Sequence, residues 1–401
     1  MTRWLSVIGI GDDGLTGLTA AARTLVDQAE VLVGGERHLA MVPNDVRERL
    51  IWTKPLHRMV DEITRRRGTR VCVLGTGDPM WHGIGATLAK HIPAMEMTVL
   101  PALSAYSLAA ARLGWPLAPL DIVSLHGHPL ERLNAYLQPR RRILALSENG
   151  RTPAKVAELL RRRSYERSRL IVLEHLGGPS ERIREGIAAE WTLNDIADLN
   201  TLAIECRAEP TVPLLPCTAG LPDAAFEHDG QLTKREIRAV TLAALAPIPG
   251  QLLWDVAAGC GSIAIEWMRA HADCRAAAIE RVPARLQMIA ANAAVLGVPD
   301  LTVISGEAPA ALARLDAPDA VFIGGGATTP GLFETCWSRL KRGGRLVANA
   351  VTIEGERQLF AWRDAIGGEL VRFGIEHATN IGSYGAWQPS RPVTQFQARK
   401  P

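Results

Sequence analysis

The 401-residue sequence has no excess of charge of one sign, no Cys-x-x-Cys pair and no long hydrophobic run. Forty-five Lys and Arg nearly balance 42 Asp and Glu, so no positive field favours nucleic acid or an acidic membrane. The six cysteines are scattered, which argues against a disulfide framework or a zinc site and suits a reducing compartment. The histidines lack metal-ligand spacing, and the apolar run at residues 4–10 is too short for a signal peptide or a membrane span. We expect a cytoplasmic protein without a bound metal.

The length of the chain and the position of a proline-rich segment predict two domains. A chain of 401 residues exceeds one ordinary core, and short apolar runs alternate with amphipathic stretches, as in α/β proteins. Three prolines fall within residues 210–216, where neither a helix nor a central strand can continue. We therefore predict a first domain over residues 1–206, a linker over 207–219 and a second domain over 220–401.

Apolar runs predict the strands of both halves. In the first half they lie at residues 5–10, 31–33, 70–74, 97–100, 122–125, 143–146, 170–173 and 202–204. In the second half they lie at 252–256, 276–279, 302–304, 320–323, 345–348, 370–373 and 393–397. Helices are predicted at 233–246, from Ser262, through 286–296 and from about Glu354. No helix separates the last two strands, so we expect them to pair antiparallel.

The second half contains a nucleotide-binding pattern. A buried strand at 252–256 leads into the segment GCGSIA at 259–264, which satisfies G-x-G-x-x-G/A, and Glu280 ends the next strand. The pattern alone fits NAD, FAD and S-adenosylmethionine equally, since each needs a tight turn and an acid for the ribose hydroxyls. Asp255 would repel a pyrophosphate but suit an ammonium and a sulfonium, which favours S-adenosylmethionine. The alternatives are a helix cap for Asp255 and an exposed strand-end acid for Glu280.

Further segments of this half carry a resemblance. The segments PDAAF at 222–226 and LTKREIR at 232–238, with the strand and glycine loop, resemble the decarboxylating precorrin methyltransferases of cobalamin biosynthesis from about residue 220 onward. The family loop has glycine where this chain has Ala257, which is tolerable if φ stays negative. The resemblance and the pattern together predict cofactor contacts from Thr233, Asp255, Ala257, Ala258, Gly259, Cys260, Gly261, Glu280, Gly306 and Ala308.

Three predicted strands of the first half end in turns that are rich in glycine. We expect these turns to converge on one rim, where a ligand can lie against bare backbone; ordinary αβ turns are the alternative. In this order they resemble the tetrapyrrole (corrin/porphyrin) methylase family over residues 3–206, although GDDG at 11–14 replaces the usual Gly-Pro-Gly. The resemblance implies a second S-adenosylmethionine site, for which the candidates are Gly9, Gly11, Gly75, Gly77, Asp78 and Ser104. Asp78 could instead be a turn acid before Pro79.

The two resemblances in one chain point to the family of precorrin-6Y methyltransferases. They imply a two-lobed tetrapyrrole-methylase fold followed by a Rossmann-like, seven-stranded class I methyltransferase sheet, with one S-adenosylmethionine in each half. The implied reaction methylates precorrin-6B at carbon 5 in the first half and at carbon 15 in the second, with loss of the ring C acetate carboxyl to give precorrin-8. We expect a small tetrapyrrole substrate, a homo-oligomer, and substrate contacts from Lys234, Arg235 or Arg238 unless these are simply solvated.

Three other functions remain open at this point. A tRNA methyltransferase with a substrate-positioning first half is disfavoured by the balanced charge and by the lack of an Asn/Asp-Pro-Pro-Tyr motif. An S-adenosylmethionine sensor would bind without turnover. An NAD oxidoreductase would be stabilised by NADH rather than by S-adenosylhomocysteine.

Overall fold

The chain forms two compact units in the computed structural model, which describes residues 3–53 and 55–401. The first unit contains the described residues up to Leu130 together with Pro139–Val212. The second contains Glu131–Gln138 and Pro213–Pro401. The short segment Glu131–Gln138 therefore belongs to the second unit, although residues of the first unit precede and follow it in the sequence. How the activities divide between the domains stays a prediction.

The first unit begins with a parallel five-stranded sheet. Its strands are β1 (Leu5–Ile10), β2 (Val31–Gly34), β3 (Glu48–Ile51), β4 (Val71–Thr76) and β5 (Met97–Leu100). Their order is β3-β2-β4-β1-β5, and every neighbouring pair is parallel. The helices between and after them are α1 (Ala20–Asp27), α2 (Glu36–Ala40), α3 (Leu56–Thr64), α4 (Ile84–Leu88) and α5 (Ala105–Leu113). Because the strands are parallel, their carboxyl ends meet at one edge.

A second sheet completes the first unit. It consists of β6 (Asp121–Ser124), β7 (Arg142–Leu146), β8 (Arg169–Glu174), β9 (Arg182–Ile187) and β10 (Asn200–Glu205), with helix α6 at Thr152–Arg162. The order is β6-β7-β10-β8-β9; β6 and β7 are parallel and the other pairs antiparallel. The two sheets are the two lobes that the resemblance implied. Strands β3 and β9 were not predicted because both are partly exposed edges rich in charged residues.

The second unit is a single seven-stranded sheet between helices. Its strands are β11 (Leu252–Val256), β12 (Arg275–Glu280), β13 (Thr302–Ser305), β14 (Ala320–Ile323), β15 (Arg345–Ala350), β16 (Glu369–Phe373) and β19 (Val393–Arg399). Their order is β13-β12-β11-β14-β15-β19-β16, and β19 runs antiparallel to both neighbours, which confirms the predicted antiparallel pairing. The seven-stranded sheet confirms the predicted fold class.

A hairpin that was not predicted lies between the last two strands of that sheet. It consists of β17 (Glu376–Ile381) and β18 (Tyr384–Pro389) and forms its own two-stranded sheet. Most of its residues are exposed, so no apolar alternation marked it in the sequence. The helices of the unit are α7 (Arg235–Leu245), α8 (Ser262–Ala270), α9 (Pro283–Val295), α10 (Leu332–Arg339) and α11 (Ile353–Ile366).

Both faces of the seven-stranded sheet in the second unit are buried, which leaves one edge for a ligand. Successive residues of a strand point to opposite faces, so Leu253 packs with one apolar cluster and Trp254 with the other. Helices α7, α8 and α9 contribute to the first cluster, and α10 and α11 to the second. With both faces covered, the carboxyl edge of the parallel strands is the natural binding edge.

Candidate cofactor and substrate sites

The second unit has a cavity of about 710 Å³ at the carboxyl ends of its parallel strands. It brings together most of the predicted cofactor residues. Those that line it are Thr233, Asp255, Ala257, Ala258, Gly259, Glu280, Gly306 and Ala308. Cys260 and Gly261 are not among its lining residues. The Cys260 side chain is buried in the apolar cluster under α8, and a Cβ on Gly261 would lie 3.0 Å from Ile289.

The loop after β11 is shaped by backbone conformations in the left-handed region. Gly259 and Gly261 have φ of 60° and 80°, and Ala257 has φ of 59°. The condition under which alanine would be tolerated at residue 257, a negative φ, is therefore not met. The turn forces this geometry because Ala258 donates its N–H to the Ile279 carbonyl at 3.0 Å, while Gly261 donates to Ala258 at 2.8 Å. An alanine in the left-handed region carries strain of about 1 kcal/mol.

Asp255 is almost completely buried, at 1% exposure, directly beneath this loop. Its Oδ2 accepts a hydrogen bond from the Ala264 backbone N–H at 3.0 Å, in the first turn of α8. Burial, reinforced by the nearby Glu280 carboxylate, raises the pKa of Asp255 to about 7, although the Ala264 bond opposes the rise. The carboxyl group thus caps the helix and also faces the cavity. Direct contact with a cofactor stays a prediction.

Glu280 is buried at the end of β12 and organises the same edge. Its Oε2 accepts the Gly259 N–H at 3.0 Å, and its Oε1 accepts the N–H groups of Arg281 and Val282 at 2.9 and 3.0 Å. The interpretation as an exposed acid is therefore wrong, because Glu280 is only 4% exposed. A carboxylate fixed in this way at the cavity wall has the position and the chemistry to accept hydrogen bonds from ribose hydroxyls.

The three cationic residues that were proposed to contact the substrate differ in their burial and their partners. Arg238 is fully buried and bonds Glu266, Asp223 and backbone carbonyls, so the structure contradicts a substrate role for it. Arg235 donates to the Gly220 carbonyl at 3.0 Å and does not line the cavity. Only Lys234 lines it, with its Nζ 3.6 Å from Asp223. The helical repeat could not separate these cases, because neighbouring residues of one helix turn point in different directions.

The first unit has its own cavity of about 940 Å³, lined by residues of both sheets. Three strand-end turns meet there, as predicted: Gly77 donates to the Ile10 carbonyl, and Ala102 donates to Gly77, each at 3.1 Å. The predicted residues that line the cavity are Gly11, Gly75, Gly77, Asp78 and Ser104. Gly9 lies underneath, where a Cβ would come within 2.0 Å of the Gly77 carbonyl oxygen. Gly9 therefore permits the turns to approach without lining the cavity.

Two of these residues also have local structural roles. The Asp78 Oδ1 accepts the Met80 N–H at 2.9 Å, which is the turn acid that was the alternative interpretation. The Ser104 Oγ accepts the Ser107 N–H at 3.1 Å and caps α5. Both side chains nevertheless stand at the cavity wall. A local role does not exclude contact with a ligand.

A polar cluster that the sequence analysis missed lies at the rim of the first cavity. Asp12 accepts from Arg37 at 2.7 Å and lies 2.9 Å from Nδ1 of His175. The Thr76 hydroxyl is 3.0 Å from Arg37 and 2.8 Å from Nε2 of His38. Burial and the adjacent Arg37 lower the pKa of His38 to about 4, so its ring is neutral at physiological pH. Only the run GDDG at 11–14 marked this cluster in the sequence.

The second cavity likewise contains residues that were not predicted. They include Glu236, Arg285, Asn349, Val351, Ile375, His377, Ser390 and Arg391. Asn349 was detectable in principle, because it follows the apolar run predicted as a strand at 345–348, and polar residues at the carboxyl ends of parallel strands line ligand sites. The others lie far apart in the sequence and carry no local signal.

The described part of the chain has neither a metal-binding cluster nor a membrane-spanning helix. Residues 3–53 and 55–401 contain no group of three or more His, Cys, Asp or Glu side chains arranged to hold a metal ion. Within the same ranges, no helix has both the length and the apolar character needed to span a bilayer.

Comparison with known proteins links each unit to a family. A family model described as tetrapyrrole (corrin/porphyrin) methylases matches residues 5–191. A second, described as a precorrin methyltransferase domain, matches residues 224–400. A precorrin-6Y C(5,15)-methyltransferase (decarboxylating) from a Sinorhizobium species is 49% identical over 398 residues, which cover 99% of this chain and 96% of the relative. The chain belongs to the precorrin-6Y C(5,15)-methyltransferase family.

Shorter relatives match about half of the chain. A cobalt-precorrin-7 C(5)-methyltransferase from Salmonella typhimurium is 28% identical over 49% of this chain and 98% of its own. A probable cobalt-precorrin-6B C(15)-methyltransferase (decarboxylating) from Pyrobaculum aerophilum is 33% identical over 44% of this chain and 93% of its own.

Family membership defines the chemistry of the protein. It is an S-adenosylmethionine-dependent C-methyltransferase with decarboxylating activity in cobalamin biosynthesis, and its substrate is a small tetrapyrrole. The residues of the second cavity fit this cofactor, because backbone at Gly259 is open to a ligand and the two carboxylates beside it suit a cationic nucleoside. The oxidoreductase and sensor alternatives are thereby wrong.

Proposed function

We propose that each unit binds one S-adenosylmethionine, and that the two units methylate different carbons of one tetrapyrrole. The first unit methylates carbon 5 of precorrin-6B, and the second methylates carbon 15 and removes the ring C acetate carboxyl, giving precorrin-8. The observation that carries the proposal is the presence of two separate cavities, each lined by strand-end glycine turns. The shorter relatives support it, since the C(5) and C(15) activities occur in separate proteins that each match about half of this chain.

In the first unit, the backbone supplies most of the cofactor wall. Gly11, Gly75 and Gly77 leave room for the ligand, Asp78 and Ser104 offer polar atoms, and Gly9 lets the turns approach. Because both sheets contribute to the cavity wall, the substrate can lie across the ends of both sheets above the cofactor. The half-exposed Trp81, whose ring lies 6.2 Å from the ring of the buried Tyr106, provides aromatic surface for the macrocycle.

In the second unit, the loop at residues 257–261 and Glu280 grip the nucleoside. Glu280 accepts the ribose hydroxyls, Thr233 approaches from the segment before α7, and Gly306 and Ala308 border the base. Asp255 holds the loop against α8 and favours a cationic ligand by its charge. Cys260 and Gly261 shape the loop from beneath.

The chemistry needs alignment and exclusion of water more than acid–base catalysis. When bound, S-adenosylmethionine supplies an electrophilic methyl group to an electron-rich ring carbon. The protein orients that carbon in line with the methyl group, a form of catalysis that depends on geometry. Loss of carbon dioxide is favoured where the reacting carboxylate is desolvated and the macrocycle can accept the electron pair.

We also propose that the protein is a homo-oligomer that acts in the cytoplasm without nucleic acid. Exposed apolar side chains on the hairpin support an interface between copies, since Ile381, Tyr384 and Trp387 are each more than two-thirds exposed. Six free cysteines and a net charge of +3 support a reducing compartment and a partner other than nucleic acid.

Calorimetric titration of S-adenosylhomocysteine into the whole chain tests the two-site proposal. The wild type should bind two molecules per chain, and Gly77→Val and Gly259→Val should each bind one. Gly114→Val and Gly382→Val are matched controls, because these glycines have φ of 65° and 60° but nothing within 4 Å of a Cβ. Controls that keep both sites show that the losses come from the cavities rather than from backbone strain. A single site in the wild type would refute the proposal.

Assay of the same variants on precorrin-6B assigns the carbons. Gly77→Val should give a decarboxylated product that lacks the carbon 5 methyl group. Gly259→Val should lose both the carbon 15 methyl group and carbon dioxide release. The opposite pattern would exchange the roles of the units.

A further inference from the structure

A buried polar network lies beneath the cavity of the second unit. The Asn349 Nδ2 donates to the Thr241 hydroxyl at 3.0 Å. The Gln395 Nε2 donates to the same hydroxyl and to Oδ1 of Asn349, both at 2.9 Å. Thr241 and Gln395 are completely buried, and Asn349 is the one member of the three that lines the cavity.

This network lies on one face of the sheet. The strand neighbours of its members, Ala348 and Phe396, point to the opposite face and belong to an apolar cluster there, and apolar side chains in place of the network would need no partners. Here three uncharged polar side chains, from α7, β15 and β19, bond one another, and Nε2 of Gln397 donates to Oε1 of Gln395 at 2.8 Å. A network with every member satisfied holds its side chains in one arrangement. Its effect is to fix the orientation of the Asn349 amide at the cavity wall.

The strand register places Asn349 two strands away from the cofactor loop at the carboxyl edge of the sheet. Ile323 pairs with Ala348 on one side and with Val256 on the other. The next position along each strand therefore aligns Ala257, Gly324 and Asn349 across the carboxyl edge. Two strand spacings amount to about 10 Å, so Asn349 lies beside the cofactor loop and not within it.

The amide presents an uncharged donor to the cavity. Of its two N–H groups, one is used by Thr241, and its oxygen accepts from Gln395. The second N–H remains for a ligand, and it fits an acceptor such as a carboxylate oxygen. Cationic donors line other parts of the same cavity, at Lys234, Arg281, Arg285 and Arg391.

The difference between a neutral and a cationic donor matters for decarboxylation. A guanidinium or ammonium stabilises a carboxylate as an anion, which opposes its conversion to neutral carbon dioxide. A single amide N–H orients the group with a weaker preference for the charged form. The buried apolar side chain of Leu332 lines the same cavity and would limit the access of water to the carboxylate.

We propose that Asn349 binds the ring C acetate carboxylate that is lost as carbon dioxide, and that Thr241 and Gln395 are its positioning residues. The proposal rests on the assignment of decarboxylation to the second unit. In the step, the bond between the acetate methylene and its carboxylate breaks, and the electron pair passes into the macrocycle as carbon dioxide leaves. Solvent then supplies the proton that converts the methylene to a methyl group. Arms that are retained can pair with the cations of the cavity wall.

Asn349→Asp tests the proposal with a change of charge and almost no change of shape. The network survives, since Gln395 still donates to one carboxylate oxygen and Thr241 can donate to the other. The new carboxylate repels the acetate, so carbon dioxide released per methyl group added at carbon 15 should fall at least tenfold. S-adenosylhomocysteine affinity of the second site should stay within twofold of wild type. The mass of the product formed from precorrin-6B measures methyl addition and carbon dioxide loss together, because an undecarboxylated product keeps the carboxyl group. Calorimetric titration measures the S-adenosylhomocysteine affinity.

Thr241→Val provides a second, independent variant. It removes the hydroxyl that receives the Asn349 and Gln395 hydrogen bonds, so the amide loses its fixed orientation. The ratio of carbon dioxide to carbon 15 methyl should fall about threefold, with cofactor affinity unchanged. A purely structural role would lower both reactions together and leave this ratio constant. Asn194→Asp, at an exposed position of the first unit, is the control for the change in charge.

The outcomes separate this inference from the proposed function. If Gly259→Val still releases carbon dioxide, the assignment to the second unit is wrong. If that variant loses it while Asn349→Asp and Thr241→Val keep the wild-type ratio, the role of Asn349 is wrong. Should Asn349→Asp fail to fold, the ratio in Thr241→Val decides.

Discussion

The two units form their cavities by different architectures. In the first, residues of two sheets line the cavity, and the rim carries a neutral His38 and an Asp12 paired with Arg37. In the second, one sheet is covered on both faces, and two buried carboxylates, Asp255 and Glu280, lie under the loop. The shared element is a set of strand-end turns whose backbone lines the cavity. Backbone geometry is therefore common to both sites, while the electrostatics belong to each fold.

The largest effect separating the units should come from the buried ion pair of the second. Arg238 and Glu266 lie 2.5 Å apart and are both buried, whereas Arg182, which pairs with the buried Glu174 in the first unit, is about half exposed. Arg238→Met leaves the Glu266 carboxylate buried without its cation, which should lower the free energy of unfolding of the second unit by about 3–5 kcal/mol. Scanning calorimetry measures the change.

The first unit supplies an internal reference for this variant. Its cofactor site should keep its S-adenosylhomocysteine affinity when Arg238 is replaced. Arg342→Met, at an exposed position of the second unit, should change stability by no more than about 0.5 kcal/mol. Equal losses in both arginine variants would show that burial of the pair is not the cause.

Asp255 should give the second unit a pH dependence with a defined sign. Its pKa is raised from 3.8 to about 7, so between these values the folded state holds a proton that the unfolded state releases. Stability from this group therefore falls as pH rises from about 4 to 7, by up to about 4 kcal/mol. Asp255→Asn should remove this slope and be more stable than wild type at pH 8. Denaturant unfolding of both proteins at pH 5 and pH 8 measures these differences in the free energy of unfolding.

The same residue should make cofactor binding depend on pH. A cationic ligand favours the ionised carboxylate, so S-adenosylmethionine affinity of the second site should rise with pH through about 7 in the wild type and stay flat in Asp255→Asn. The first site, titrated in the same molecule, is the control. A parallel pH profile at both sites would exclude Asp255 as the cause.

The smallest expected effect concerns the one loop residue whose conformation does not suit its side chain. Ala257 has φ of 59°, whereas the turn at Gly77, with φ of 61°, uses glycine. Ala257→Gly should stabilise the second unit by about 0.5–1 kcal/mol and tighten S-adenosylhomocysteine binding severalfold. Ala258→Gly is the matched control, and since Ala258 is not in the left-handed region it should lose stability by a similar amount. If both variants were less stable than the wild type, a restricted backbone in the loop would matter more for stability than relief of strain at residue 257.

Much of the fold could be predicted because it is encoded locally. The strands β1, β5, β11 and β14 have the predicted bounds, since each is a mainly apolar run, and all but the edge strand β5 are largely buried. The missed strands are edge strands or belong to the exposed hairpin, where burial is too incomplete to leave an apolar pattern. The glycine turns of both sites were found for the same local reason.

What the sequence by itself determined is the α/β class, the two family resemblances and the strand-end turns where ligands bind. Only the tertiary structure decided that Arg238 is buried, that Ala257 has a positive φ and that Asp255 has a raised pKa. It also decided that Thr241, Asn349 and Gln395, up to 154 residues apart, meet in one network. The physical reason is that periodicity records which face of an element is buried. Side-chain contacts depend instead on the register between strands and helices that are distant in the chain.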